Sequence, residues 1–90
     1  MLRTFSITVS GKVQGVFFRQ STKDIANQSN IQGQVKNLSN GNVQIVATGT
    51  KEQLEKLIEW CKKGPPRSVV TGVDVQEVSL QKFDQFKIVH

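Results

Sequence analysis

Phe5, Ile7 and Val9 alternate with Thr4, Ser6 and Thr8, giving the first segment one apolar and one polar side. A period of two belongs to a half-buried β-strand, which Gly11 closes, with Phe5 on the buried face. The period then changes. Phe18, Thr22, Ile25, Ala26 and Ser29 recur at spacings of three and four, predicting an amphipathic helix over about 19–29 that Asn27 to Asn30 stop. Ile31, Gly33, Val35 and Asn37 share one face of a second strand, and Val43, Ile45 and Ala47 one face of a third. Asn40-Gly41 between them is a dipeptide that favours a tight hairpin turn. Thr50, followed by Gln53, forms a capping-box pattern, in which the two side chains satisfy free amides at a helix start, so a helix begins at Lys51. Leu54, Leu57, Ile58 and Cys61 stripe that helix, and Gly64-Pro65-Pro66 ends it. Val69, Thr71, Val73 and Val75 make a fourth strand running to about Leu80. Phe83, Phe86 and Ile88 suggest a short terminal edge strand, and Trp60, Phe83 and Phe86 are expected to fill the core.

The order β-α-β-β-α-β plus a final strand is the split-βαβ pattern of ferredoxin-like α+β folds, with both helices on one face of a mainly antiparallel sheet. No repeat or linker divides the sequence, so residues 1–90 are expected to form one domain. A chain of this length can bury roughly 60–70% of its unfolded surface without staples. The architecture hosts enzymes, RNA-binding modules and regulatory domains alike, so function has to be read from a site.

Twelve Lys and Arg against seven Asp and Glu give a net charge of +5 and a pI near 9.7. Anionic partners suit that balance, although a solvated basic surface with no partner explains most of the lysines equally well. Lys62, Lys63 and Arg67 flank the end of the second helix, where cations suit the dipole. One Cys and one His exclude a disulfide framework and a structural zinc site, and the natural home is a reducing cytoplasm. Met1 to Ser6 contain no long apolar run, which argues against a signal peptide and a membrane span. The seven acids are scattered without metal-ligand spacing, so neither a metal nor a cofactor is expected. Nothing demands more than a monomer.

Between the first strand and the first helix lies Gly11 to Arg19, reading GKVQGVFFR. An arginine at a helix start sits against the positive end of the peptide dipoles, a cost of roughly 0.3–1 kcal/mol. Glycines at 11 and 15 permit positive φ angles, which can align amide N–H groups into a concave anion site. The helix start adds free amides, and the arginine can donate two parallel hydrogen bonds to a phosphate or carboxylate. A bound anion would therefore offset the misplaced cation. The same residues are also compatible with an ordinary turn and a solvent-facing arginine. The loop is neither a Walker loop nor a dinucleotide fingerprint.

Val13 to Arg19 (VQGVFFR) and Gly33 to Asn37 (GQVKN), followed by Gly41, Val43 and Gly49, resemble the two signature segments of the acylphosphatase family. The likeness spans the chain: length, element order, Trp60, the Gly-Pro break and the closing Phe83 to Ile88 all fit. The resemblance implies that Arg19 holds a substrate phosphate and that the loop from Gln14 through Gly15, Val16, Phe17 and Phe18 surrounds it. It implies that Asn37 orients the attacking water, whereas the residues alone read Asn37 as a strand-end Asx turn before Asn40-Gly41. Gln14 is compatible with supporting the loop's shape or with an exposed turn position. Gln34 departs from the family, which often has an aromatic residue or Thr there. It should face solvent, with an effect on surface or stability rather than on chemistry.

The substrate so implied is a small acyl phosphate, with inorganic phosphate as product and inhibitor. The leaving carboxylate has a pKa of about 4–5 and departs unprotonated, so no general acid is required. The only histidine is His90, and Cys61 belongs to an apolar stripe rather than to the phosphate loop. Two rival classes are a non-catalytic phosphate-binding domain and an RNA-binding module. The third strand, Asn42 to Thr48, has no aromatic for base stacking, which disfavours nucleic acid. The absence of any extension past the last strand disfavours part of a larger enzyme.

Overall fold

In the computed structural model, which describes residues 1–90, the order is β1 (Leu2–Lys12), α1 (Phe18–Gln28), β2 (Gln32–Asn37), β3 (Val43–Thr50), α2 (Lys51–Lys63), β4 (Val69–Val78) and β5 (Phe86–Val89). The strands form one sheet in the order β4-β1-β3-β2-β5. Every neighbouring pair is antiparallel except β2 and β5, which are parallel. The ferredoxin-like α+β order expected from the pattern is present, with β5 at the edge. Phe83 lies outside β5 in the connection from β4, where it is half-buried, because only Phe86 to Val89 reach the edge of β2. Phe86 does belong to the core.

Both helices lie on one face. The apolar sides of β1, β2 and β3 supply Ile7, Val9, Val35, Val43, Ile45 and Ala47, and the helices supply Phe18 and Ala26 from α1 and Leu54, Leu57 and Cys61 from α2. The capping box at Thr50 forms as expected, with Gln53 N donating to Thr50 Oγ1 at 3.2 Å and Thr50 N donating to Gln53 Oε1 at 2.8 Å. Trp60 and Phe5 are half-buried flanking residues rather than core centres. Trp60 meets Phe18 with ring centroids 5.3 Å apart, so the start of α1 is braced against α2.

The Asn40-Gly41 turn differs from the two-residue hairpin its sequence favours. Asn37 pairs with Val43, and Leu38 N donates to Asn42 O at 2.8 Å while Gly41 N donates to Leu38 O. Gly41 has positive φ but Asn40 does not, so the loop is a turn over 38–41 whose last residue is the positive-φ glycine. Asn40 Oδ1 accepts from Asn42 N at 3.0 Å, so the Asx-type bond of this loop belongs to Asn40 and not to Asn37.

Thr4 and Thr48, on the polar side of their strands, are buried. The chain must pass from β4 at one edge to β5 at the other, and its crossing closes over this threonine pair. Gln81 N donates to Thr4 Oγ1 at 2.8 Å, Thr48 Oγ1 donates to Gln81 O at 2.7 Å, and the hydroxyls lie 2.6 Å apart. Burial of the two hydroxyls is thus matched by hydrogen bonds, which removes the usual penalty for desolvating them.

Candidate active site

The segment between β1 and α1 is held from below by its own side chains. Val13, Val16 and Phe18 are buried, while Gly15 and Phe17 face outward. Gly15 has φ 74° and Phe17 has φ 64°, ψ 25°, so two left-handed residues flank Val16. Alternating hands of this kind turn amides toward one concave side. The amides of Gly15, Val16, Phe17 and Phe18 donate to no group within the chain, and α1 has no side-chain cap and no acidic residue in its first turn. Arg19 lies in that first turn, where its charge opposes the helix dipole.

Gly11 plays another part than the loop glycine expected of it. It remains within β1, at φ 122°, where the register against β4 shifts between Ser10 and Gly11. A Cβ there would overlap the Val69 carbonyl, so Gly11 serves a bulge and close strand approach. The left-handed conformations of the loop come from Gly15 and Phe17 instead.

A cavity of about 360 Å³ opens at this loop. Gly15, Phe17, Phe18, Arg19 and Gln20 border it on one side, and Asn37 borders it from the end of β2. Arg19 and Asn37, 18 positions apart in the chain, therefore face one space. Asn37 makes no side-chain hydrogen bond inside the protein. Val13 and Ile88 add apolar surface, and no carboxylate lines the cavity. Gln14 and Val16 are not in its wall. Val16 is packed beneath the loop, and Gln14 Nε2 donates to Leu38 O at 2.8 Å and to Asn42 O at 2.9 Å. Gln14 thus fastens the first loop to the segment that follows Asn37.

The residue missed from the sequence is His90. It borders the cavity, and its Nδ1 lies 3.3 Å from Arg19 Nη1. The parallel register explains its arrival: Lys36 pairs with Val89, and one step further brings His90 alongside Asn37. A sequence signal for this would have required knowing that the last strand runs parallel to β2. Cys61 takes no part. Burial pushes its thiol up to about 12, so it is protonated and inert at neutral pH. No three or more His, Cys, Asp or Glu side chains cluster as metal ligands would.

Fold and cavity together define a class: a small ferredoxin-like domain whose β1–α1 loop presents free amides and one guanidinium to an open cavity. Comparison with known proteins narrows it. The family model described as Acylphosphatase matches residues 5–88. A curated acylphosphatase of Coxiella burnetii is 43% identical over 82 residues, covering 91% of this chain and 86% of its own. The structure of an acylphosphatase from Coxiella burnetii matches with a TM-score of 0.95 at 40% identity, over 98% of this chain and 93% of the other. The crystal structure of acylphosphatase from Bacillus subtilis matches with a TM-score of 0.94 at 40% identity, over 100% of both chains. The chain belongs to the acylphosphatase family.

Proposed function

We propose that this protein hydrolyses the carboxyl-phosphate bond of small acyl phosphates, with the phosphate held by Arg19 and the amides of Gly15 to Phe18, and the attacking water held by Asn37. One observation carries the assignment of roles: Arg19, the loop with its free amides, and an Asn37 without a side-chain partner all border one cavity. The family match supports the reaction itself.

The chemistry needs few groups. An acyl phosphate, R–CO–O–PO₃²⁻, has a leaving carboxylate whose pKa is about 4–5, so the P–O bond breaks without a proton being given to it. Water oxygen attacks phosphorus as that bond's electron pair leaves with the carboxylate. The water's proton passes to a phosphate oxygen, giving R–COO⁻ and H₂PO₄⁻. Phosphoryl transfer depends mainly on positioning and charge stabilisation. Arg19 and the amides meet the developing charge on the equatorial oxygens, and Asn37 sets the direction of attack. Gln14 serves the same end indirectly by fixing the Arg19 loop to the Asn37 end of β2. Residues 1–90 act as one domain in this reading, and inorganic phosphate, sharing the cradle, inhibits by competition.

The test is phosphate release from benzoyl phosphate at neutral pH in the presence of a chelator. Arg19→Ala should lose both turnover and inhibition by phosphate. Asn37→Ala should keep phosphate inhibition and lose about 10²–10³ in kcat, the usual consequence of removing one preorganised group. Near-normal kcat in Asn37→Ala would remove the water-positioning role.

A further inference from the structure

Phe17 is hard to account for by folding alone. The residue is 73% exposed at the head of the loop, between the buried Val16 and Phe18. Its backbone is left-handed, a conformation that a Cβ disfavours and that is an outlier for a bulky residue. Two residues earlier the same demand is met by glycine, at Gly15. A glycine at position 17 would supply the same backbone without strain and without leaving an aromatic ring in water. Strain and exposure of this kind concentrate at functional sites, and the observed outlier is what licenses the inference.

The cavity shows what the ring could do. Its volume, about 360 Å³, falls in the range of small-molecule sites, about 300–1,000 Å³. It has a polar side with Arg19 and Asn37 and an apolar side with Val13, Phe17, Phe18 and Ile88. Val13 and Phe18 are committed to the core, so Phe17 offers the broadest free apolar surface in the wall. An acyl phosphate carries an anionic end and an acyl end. With the anionic end on Arg19, the acyl end has Phe17 as its apolar neighbour.

We infer that Phe17 is a specificity-determining residue whose ring receives the acyl group, so the preferred substrates are acyl phosphates with aromatic or bulky apolar acyl groups. This rests on the acyl-phosphate reading above. A planar aromatic acyl group can stack on the ring, whereas an acetyl group is too small to cover it. The remaining walls are open, so the preference is graded rather than exclusive.

The test compares kcat/KM for benzoyl phosphate and acetyl phosphate in wild type, Phe17→Gly and Phe17→Tyr, with thermal unfolding recorded for each. Phe17→Gly satisfies the left-handed backbone, so the fold is not at risk. The benzoyl-to-acetyl ratio should fall roughly tenfold in Phe17→Gly, the scale on which one apolar contact discriminates between substrates, and should return in Phe17→Tyr. An unchanged ratio, or equal losses on both substrates, would overturn the proposal and leave the hydrolase assignment standing. Wild-type protein inert on both substrates would overturn the hydrolase assignment itself, and with it the role of Phe17.

Discussion

Gln14 Nε2 donates to the Leu38 carbonyl at 2.8 Å, joining the loop that carries Arg19 to the residue that follows Asn37. The same nitrogen donates to Asn42 O at 2.9 Å, so one amide group spans the hairpin and fixes the separation of the site's two halves. Gln14→Ala should cost about 1 kcal/mol of stability, as two part-buried carbonyls lose a donor. Its effect on kcat/KM should be larger, between about 10- and 100-fold, because small misplacements of positioned groups are amplified in rate. Urea unfolding and steady-state kinetics on the same variant separate the two. Gln14→Ala with wild-type kinetics would show that the tie is only structural.

Arg19 sits in the first turn of α1 without an acidic neighbour there. A phosphate between guanidinium and helix start would relieve that repulsion, so inorganic phosphate should stabilise the folded protein. At ten times Kd the gain is about 1.4 kcal/mol, which for a domain of this size raises Tm by roughly 6–11 °C. Arg19→Ala should show no such rise in a thermal melt at matched ionic strength.

Two glycines separate folding from function. Gly11→Ala would drive a Cβ into the Val69 carbonyl at a left-handed φ, and should cost well over about 2 kcal/mol while folded molecules keep their turnover. Nothing lies within 4 Å of a Cβ built at Gly15, so Gly15→Ala should cost only about 1–2 kcal/mol from its left-handed φ. The loop's amides would shift, however, and activity should fall at least tenfold. Melting curves alongside initial rates distinguish the patterns.

Thr4, Thr48 and Gln81 form a closed hydrogen-bonded set under the β4–β5 crossing. Thr48→Val should destabilise by about 1–3 kcal/mol, since buried partners are left unpaired. The Thr4→Val/Thr48→Val double variant should lose less than the sum of the single losses, as expected of side chains that share partners. Amide hydrogen exchange in β5 should quicken in the same variants, because this crossing delivers β5 to the sheet.

Cys61 makes stability depend on alkaline pH. Its thiol titrates at about 12 when folded against an ordinary 9.0, so between those values the unfolded chain loses a proton that the native state keeps. Stability from this group is whole below pH 9 and declines as pH rises toward 12, by roughly 1.4 kcal/mol per unit. The difference in unfolding free energy between wild type and Cys61→Ala should hold steady below pH 9. It should shrink between pH 9 and 10.5 in urea titrations.

Much of the fold was legible because neighbouring residues specify it. The period of β1, the capping box at Thr50 and the stripe Leu54, Leu57 and Cys61 are short-range patterns, and α1, α2, β2 and β4 lie within two residues of where their patterns place them, while β1 and β3 run on past the last residue of theirs, to Lys12 and Thr50. Asn40-Gly41 misled on turn type, because the pairing of Asn37 with Val43 leaves five residues to connect and the loop takes its shape from that span. Phe83 misled because an apolar residue next to an edge strand can pack under the connection instead. Thr4 and Thr48 lie on the polar side of their strands, and only the crossing that covers them makes them buried.

Composition and local pattern by themselves determined which segments are helix or strand and that Arg19 is out of place at a helix start. Those facts need only side-chain period, capping chemistry and the sign of the helix dipole. Tertiary structure alone decided that Arg19 and Asn37 share one cavity, that Gln14 ties their segments together, that Gly11 belongs to a strand bulge, and that His90 lies beside Arg19. Each depends on register between strands far apart in sequence, and on the path of the crossing between β4 and β5. Strand register is set by pairing across the sheet, so a residue's own neighbours carry no record of it.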